Sequence, residues 1–134
     1  MTPATSSVEG KSGGMSEVTF ADFKKTDLRV AKILDVQEIP GADRIWKLVV
    51  DTGSEKKEIV AGIKAFYTRE QLLGRSIVVV NNLAPSMIRG VQSQGMLLAA
   101  SVTKQADPSS GRKDEKFLSL LTLDQDLPPG SLVG

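Results

Sequence analysis

The chain has 134 residues, 40% apolar and 25% charged, with a net charge of +1 and neither cysteine nor histidine. That length holds one domain with a modest core. Without cysteine there is no disulfide framework or thiolate metal site. Without histidine the commonest general acid/base, the Ser–His and Cys–His pairs and most transition-metal sites are gone, so the composition argues against catalysis and for no cofactor.

Residues 1–17, MTPATSSVEGKSGGMSE, are small, polar and rich in Gly and Ser, without an apolar period. They read as a disordered tail or a cloning remnant, with Met15 a candidate natural start. Residues 18–134 read as one domain. In VTFADF (18–23), Phe20 and Phe23 are expected to clasp it. DLRVAKILDVQEI (27–39) reads as a strand with Leu28, Val30, Leu34 and Val36 in the apolar register. Lys32 falls into that register and Ile33 out of it, which predicts a bulge that re-aims both. Pro40-Gly41 marks a turn. IWKLVVD (45–51) is a strand with Trp46, Leu48 and Val50 on one face, and TGSEKK (52–57) closes a hairpin onto KEIVAG (57–62), its two lysines solvated. Over 65–74 the period changes to that of a short helix. Thr68 and Gln71 have capping-box spacing, Tyr67 and Leu72 can form the hydrophobic staple, and Gly74 suits a left-handed terminus.

RSIVVVNNL (75–83) and GMLLAASV (95–102) read as strands apolar on both faces, joined by APSMIRGVQSQ (84–94) as a long loop or bent edge strand. TKQADPSSGRKDE (103–115) is a polar excursion, KFLSLLTL (116–123) a last strand and DLPPGSLVG (126–134) a Pro-Gly tail. Three strands, a helix and two strands is the order of an all-β, OB-fold, five-stranded Greek-key barrel with one short helix, here with a C-terminal extension. The outer apolar faces of IVVV and MLLAA exceed what such a barrel buries, and predict a cover from the C-terminal segment or a second subunit.

Charge is uneven. Residues 20–105 carry 13 basic and 9 acidic side chains, while residues 106–134 carry 3 and 5. A mildly basic centre is compatible with a polyanionic partner. No apolar run approaches the roughly 20 residues of a membrane span. The N-terminus has no apolar signal-peptide core, so a cytoplasmic address is expected and no membrane partner.

The stretch 83–100, LAPSMIRGVQSQGMLLAA, offers the densest chemistry. Ser93 places a hydroxyl at the strand entrance. Met96 is either a pliable surface for a base or core filler, and Arg89 is a phosphate fork or stacking plane. Arg44 is a ligand to an anion or a solvated charge. Trp46 alternates with Leu48 and Val50 and reads as core. Lys32, a lysine in an apolar register, must snorkel or meet an anion. No paired-carboxylate, Gly-rich phosphate or metal spacing stands out.

DLRVAKI, PGADRIWKLVVDTG, EIVAGI, VVVNNLAP and IRGVQSQGMLLAA, in this order, resemble the tRNA-binding domain family over about residues 20–134. That family is appended to methionyl-tRNA synthetases and also occurs as free-standing tRNA-binding proteins and synthetase beta subunits. The resemblance implies an OB-fold homodimer that grips tRNA with little sequence preference and assists a methionyl-tRNA synthetase catalytic chain in trans. It places RNA contacts at Ser93 and Met96, with backbone contacts at Lys32, Arg44, Asn82 and Arg89. Two departures stand out: APSM (84–87) lacks the cation that relatives often carry, and Ala31 stands where glycine is usual. The competing reading is a peptide-binding module like an export chaperone of the same fold, which the weak net charge favours.

Overall fold

The computed structural model describes residues 16–134 apart from Pro108 and Arg112. Residues 1–15, with most of the expected tail and the candidate start at Met15, lie outside the described residues. The fold is all-β. Its main sheet runs β3 (Lys56–Ala61), β2 (Ala42–Asp51), β1 (Leu28–Ile39), β4 (Ser76–Val80), β7 (Met96–Leu97), with β10 (Leu132–Val133) also paired to β1. Two hairpins stand apart from this sheet: β5 (Ser86–Ile88) with β6 (Val91–Ser93), and β8 (Ala99–Lys104) with β9 (Glu115–Leu120). Every pairing is antiparallel. The two helices among the described residues are single turns, α1 (Phe20–Phe23) and α2 (Arg69–Leu72). Among the described residues no helix is long and apolar enough to cross a membrane.

β1 is long enough to serve two long partners besides β10. Leu28 to Lys32 pair with β4, and Lys32 to Ile39 pair with β2. The expected bulge is present, between Ile33 and Asp35. The expected facing holds only in part before it, where Val30 is buried as predicted at 1% exposure. Ala31 and Ile33 point into the core at 0% and 1% exposure, while Leu34 on the bulge is 40% exposed and Lys32 lies on the outer side. After the bulge Val36 returns to the core. A single extra residue exchanges the two faces of a strand, so the alternation of β1 has no constant sense.

β2 behaves as its pattern predicts. Trp46, Leu48 and Val50 are buried in one cluster with Ile59, Leu72, Ile77, Val79 and Leu97. The Trp46 indole N–H, which needs a partner once buried, donates to the Tyr67 carbonyl at 2.9 Å. The capping box of α2 is formed, Gly74 has φ +79°, and the Tyr67 hydroxyl accepts from the Leu120 amide at 3.1 Å.

Three segments depart from expectation. The 84–94 loop is the β5–β6 hairpin. The single strand expected over 95–102 breaks at Leu98, whose amide donates to Val78, so β8 leaves the main sheet to pair with β9 and every β8 residue is exposed. Phe20 is 73% exposed, with the Lys24 ammonium 5.5 Å from its ring centre, whereas Phe23 lies close to Gly134. The C-terminal segment runs alongside β1, where the Gly130 amide donates to Val30 at 2.7 Å and the Val30 amide to Ser131 at 2.9 Å. Gly53 and Gly130 meet there backbone to backbone. A Cβ on Gly53 would lie 2.8 Å from the Pro129 carbonyl oxygen.

Candidate functional site

The open side of the main sheet, between β3 and β7, is bridged by Ser93 and Gln94. The Gln94 amide donates to the Glu58 carbonyl at 2.8 Å, and the Gln94 side-chain oxygen accepts from the Glu58 amide at 3.0 Å. One residue earlier, the Ser93 hydroxyl accepts from the Val60 amide and donates to the Gly95 carbonyl, both at 3.0 Å. Side chains thus replace the missing rungs of a ladder and satisfy backbone groups that β3 would otherwise leave unpaired. Gly95, at φ +154°, lets the chain pass so close to β4 that a Cβ would sit 2.9 Å from the Val80 oxygen.

The sequence expectation that Ser93 touches RNA meets this geometry directly. Ser93 is 2% exposed with its hydroxyl committed in both directions, so it is a latch inside the wall with no face left for a ligand. Asn82 is also committed. It accepts from the Asp27 amide at 2.9 Å and donates to the Lys25 carbonyl at 2.7 Å, holding the turn that carries Lys24 and Lys25. Beside it, Asp27 accepts from Arg29 and from the Asn81 amide, and these bonds, Asn81 foremost, hold its carboxyl below the ordinary value. Lys57, expected to be solvated, instead donates to the Asn81 carbonyl at 2.8 Å with its side chain 14% exposed.

The other four predicted residues present themselves differently. Met96 is half-buried on β7 opposite Val80, which in turn faces Leu28. Lys32, Arg44 and Arg89 are exposed, and among the described residues none of the three has an ion pair or a side-chain hydrogen bond. Arg44 and Arg89 come together at one end of the molecule. The β1–β2 turn before Arg44 and the β5–β6 hairpin that carries Arg89 share one apolar cluster of Ile39, Ala42 and Val60, packed by Ile45, Ile88 and Val91. Asn82 and Met96 lie near the opposite end of β1, at most roughly 35 Å away at ~3.3 Å per residue. The structure therefore divides the predicted site between two ends, with Lys32 on the wall between them.

An open groove of about 700 Å³ lies between the β1–β2 arm and α2, lined by Val36, Trp46, Lys64, Tyr67 and Arg69. Its cations are already engaged. Lys64 stands 4.7 Å above the Trp46 ring and 3.7 Å from Glu38, and Arg69 pairs with Asp35 at 3.0 Å. The Gln37 amide, then the Val36 N–H and Arg69, hold the Asp35 carboxyl below its ordinary value. Among the described residues no group of three or more His, Cys, Asp or Glu could hold a metal ion. Sequence reading passed over Met87 and Gln92. Their signal is alternation within 86–93, visible only once the Arg89-Gly90 turn is known to make a hairpin.

Residues 28–132 match the family model described as "Putative tRNA binding domain". Over 126 residues the chain is 42% identical to a methionine–tRNA ligase of Thermotoga maritima, covering 94% of this chain and 18% of that protein. It thus spans about a fifth of the length of such relatives. Among solved structures it is similar to a MetRS related protein from Pyrococcus horikoshii, with TM-score 0.73, 29% identity and coverage of 90% of this chain and 100% of that one. It is also similar to the chaperone CsaA of Bacillus anthracis, with TM-score 0.70, 28% identity, 89% of this chain and 100% of that one.

Proposed function

We propose, given that the chain belongs to the tRNA-binding domain family, that it is a non-catalytic module that binds tRNA with little sequence preference and serves a methionyl-tRNA synthetase in trans, as a beta subunit does, in the cytoplasm. The observation that carries this reading is the set of exposed cations Lys32, Arg44 and Arg89, unpaired among the described residues and set apart from the neutralised groove beside α2. Phosphate contacts of this kind supply affinity without reading sequence. Met96 adds an apolar surface toward the other end of the wall. Ser93 and Asn82 act from behind, as the latch of the wall and the clamp of the Lys24-Lys25 turn.

The main sheet reads as an OB-type Greek-key barrel closed through Ser93 and Gln94, which the contacts of Glu58 and Val60 support. A homodimer fits the β8–β9 hairpin, where Val102 is 57% and Phe117 41% exposed. Two copies would double the cationic surface offered to one tRNA. The alternative, a peptide-binding module, is favoured by that same exposed apolar hairpin and by the likeness to a chaperone.

Fluorescence anisotropy of labelled bulk tRNA, titrated at several salt concentrations, tests the reading. The expected result is affinity falling with salt at a slope worth about three phosphates or more, and reduced by about one in each of Arg44→Ala and Arg89→Ala. No binding at low salt would refute it. Apolar-peptide binding indifferent to salt would favour the alternative.

A further inference from the structure

The β5–β6 hairpin has two unlike faces. Its register pairs Ser86 with Ser93, Met87 with Gln92 and Ile88 with Val91. Ile88 and Val91 pack inward on the Ile39, Ala42 and Val60 cluster, and Ser93 is buried on the same side. Alternation then turns Met87 and Gln92 outward as a cross-strand pair, with Cβ atoms about 5 Å apart. Met87 is 66% exposed and Gln92 is exposed beside it.

The turn between the strands is Arg89-Gly90, with φ +53° and +79°. Consecutive left-handed residues match the twist of a two-residue hairpin. Gly90 adopts this freely. Arg89 does not, and among the described residues it is the one non-glycine with positive φ, at a cost of about 1 kcal/mol. The strained position holds a guanidinium at the tip, with no carboxylate paired to it among the described residues. No acidic residue occurs between Glu70 and Asp107. Across the shared cluster lies the start of β2, which carries Arg44 beside the exposed Asp43.

We propose that this hairpin is a finger that captures one unstacked nucleotide of a tRNA loop, a base-holding site separate from the phosphate contacts along the wall. The base lies on the Met87 thioether, a polarizable surface that tolerates any ring. The Gln92 amide, both donor and acceptor, meets the base edge, and its pattern matches the N6 and N7 positions of adenine. Arg89 takes the adjoining phosphate as a fork. Such a site suits RNA because sequence-dependent contacts fall on splayed bases in loops, while the grooves of paired A-form RNA give side chains little to read.

The inference rests on the tRNA reading, and the test separates the two. Full-length wild type, Met87→Ala, Gln92→Ala and Arg89→Gly are titrated into labelled tRNA, hexaadenylate, hexauridylate and a 12-base-pair RNA duplex at fixed and varied salt. Both outward residues are exposed, so circular dichroism and melting are expected to match wild type. Met87→Ala should weaken tRNA and both hexamers about fivefold with the salt slope unchanged, and leave the duplex untouched. Gln92→Ala should weaken hexaadenylate about fivefold and hexauridylate less than twofold. Arg89→Gly should lower the salt slope by about one. If Met87→Ala and Gln92→Ala bind tRNA and hexaadenylate as wild type does, the finger is overturned while the tRNA reading stands. If wild type binds no RNA, both fall. An apolar peptide bound in a Met87-dependent way without RNA binding would overturn the finger in favour of a peptide site.

Discussion

Replacing Ser93 by alanine distinguishes a latch from a ligand contact. The hydroxyl satisfies the Val60 amide and the Gly95 carbonyl, each at 3.0 Å, in a position 2% exposed. Ser93→Ala removes one oxygen and orphans both groups where little water reaches. An unsatisfied buried amide costs about 1–3 kcal/mol. The carbonyl, with a second lone pair, adds less, so the expected loss is about 2–3 kcal/mol. The cavity left by a hydroxyl is too small to matter beside this. Urea denaturation at neutral pH reads the change as a lower midpoint with an unchanged m-value, since the surface exposed on unfolding is the same. At a temperature well below melting, affinity for tRNA should stay within about twofold of wild type. A loss below about 0.5 kcal/mol would refute the latch. Unchanged stability with a large loss of tRNA affinity would return Ser93 to the RNA surface where its sequence context suggested it.

Gly95→Ala should be more severe, about 3 kcal/mol or failure to fold, because the Cβ meets the Val80 oxygen at 2.9 Å and φ is +154°. Soluble yield and thermal melting report it, and a variant melting within a few degrees of wild type would contradict the packing. Trp46→Phe keeps most of the apolar contact but loses the indole bond to Tyr67 and leaves that carbonyl short of a partner, for about 1–2 kcal/mol in the same urea assay. Asp27 makes stability acid-sensitive. Its folded pKa is depressed, so its contribution is present above the unfolded value of 3.8 and is lost as pH falls through the lower folded value. Wild type should therefore lose stability on acidification below about pH 4 more steeply than Asp27→Asn. Parallel curves for the two would show that the Asn81 and Arg29 bonds do not persist in solution.

What was legible in the sequence was local. The capping box of Thr68 and Gln71, the left-handed Gly74 and the Trp46-Leu48-Val50 face depend on neighbours a few residues away, and each formed as its pattern demands. The absence of histidine and cysteine likewise bounded the chemistry without reference to any fold. The family, too, could be read from five ordered blocks. What only the tertiary structure decided depends on distant pairings. The facing of β1 turned on where a one-residue bulge fell, because alternation specifies two faces and not which of them is inside. The fates of Ser93, Asn82 and Lys57 were set by partners 33, 55 and 24 residues away. A polar side chain near a strand end looks the same in sequence whether it faces a ligand or satisfies a backbone group on a neighbouring strand. Burial leaves no choice, because an amide shut away from water must find its partner inside the protein.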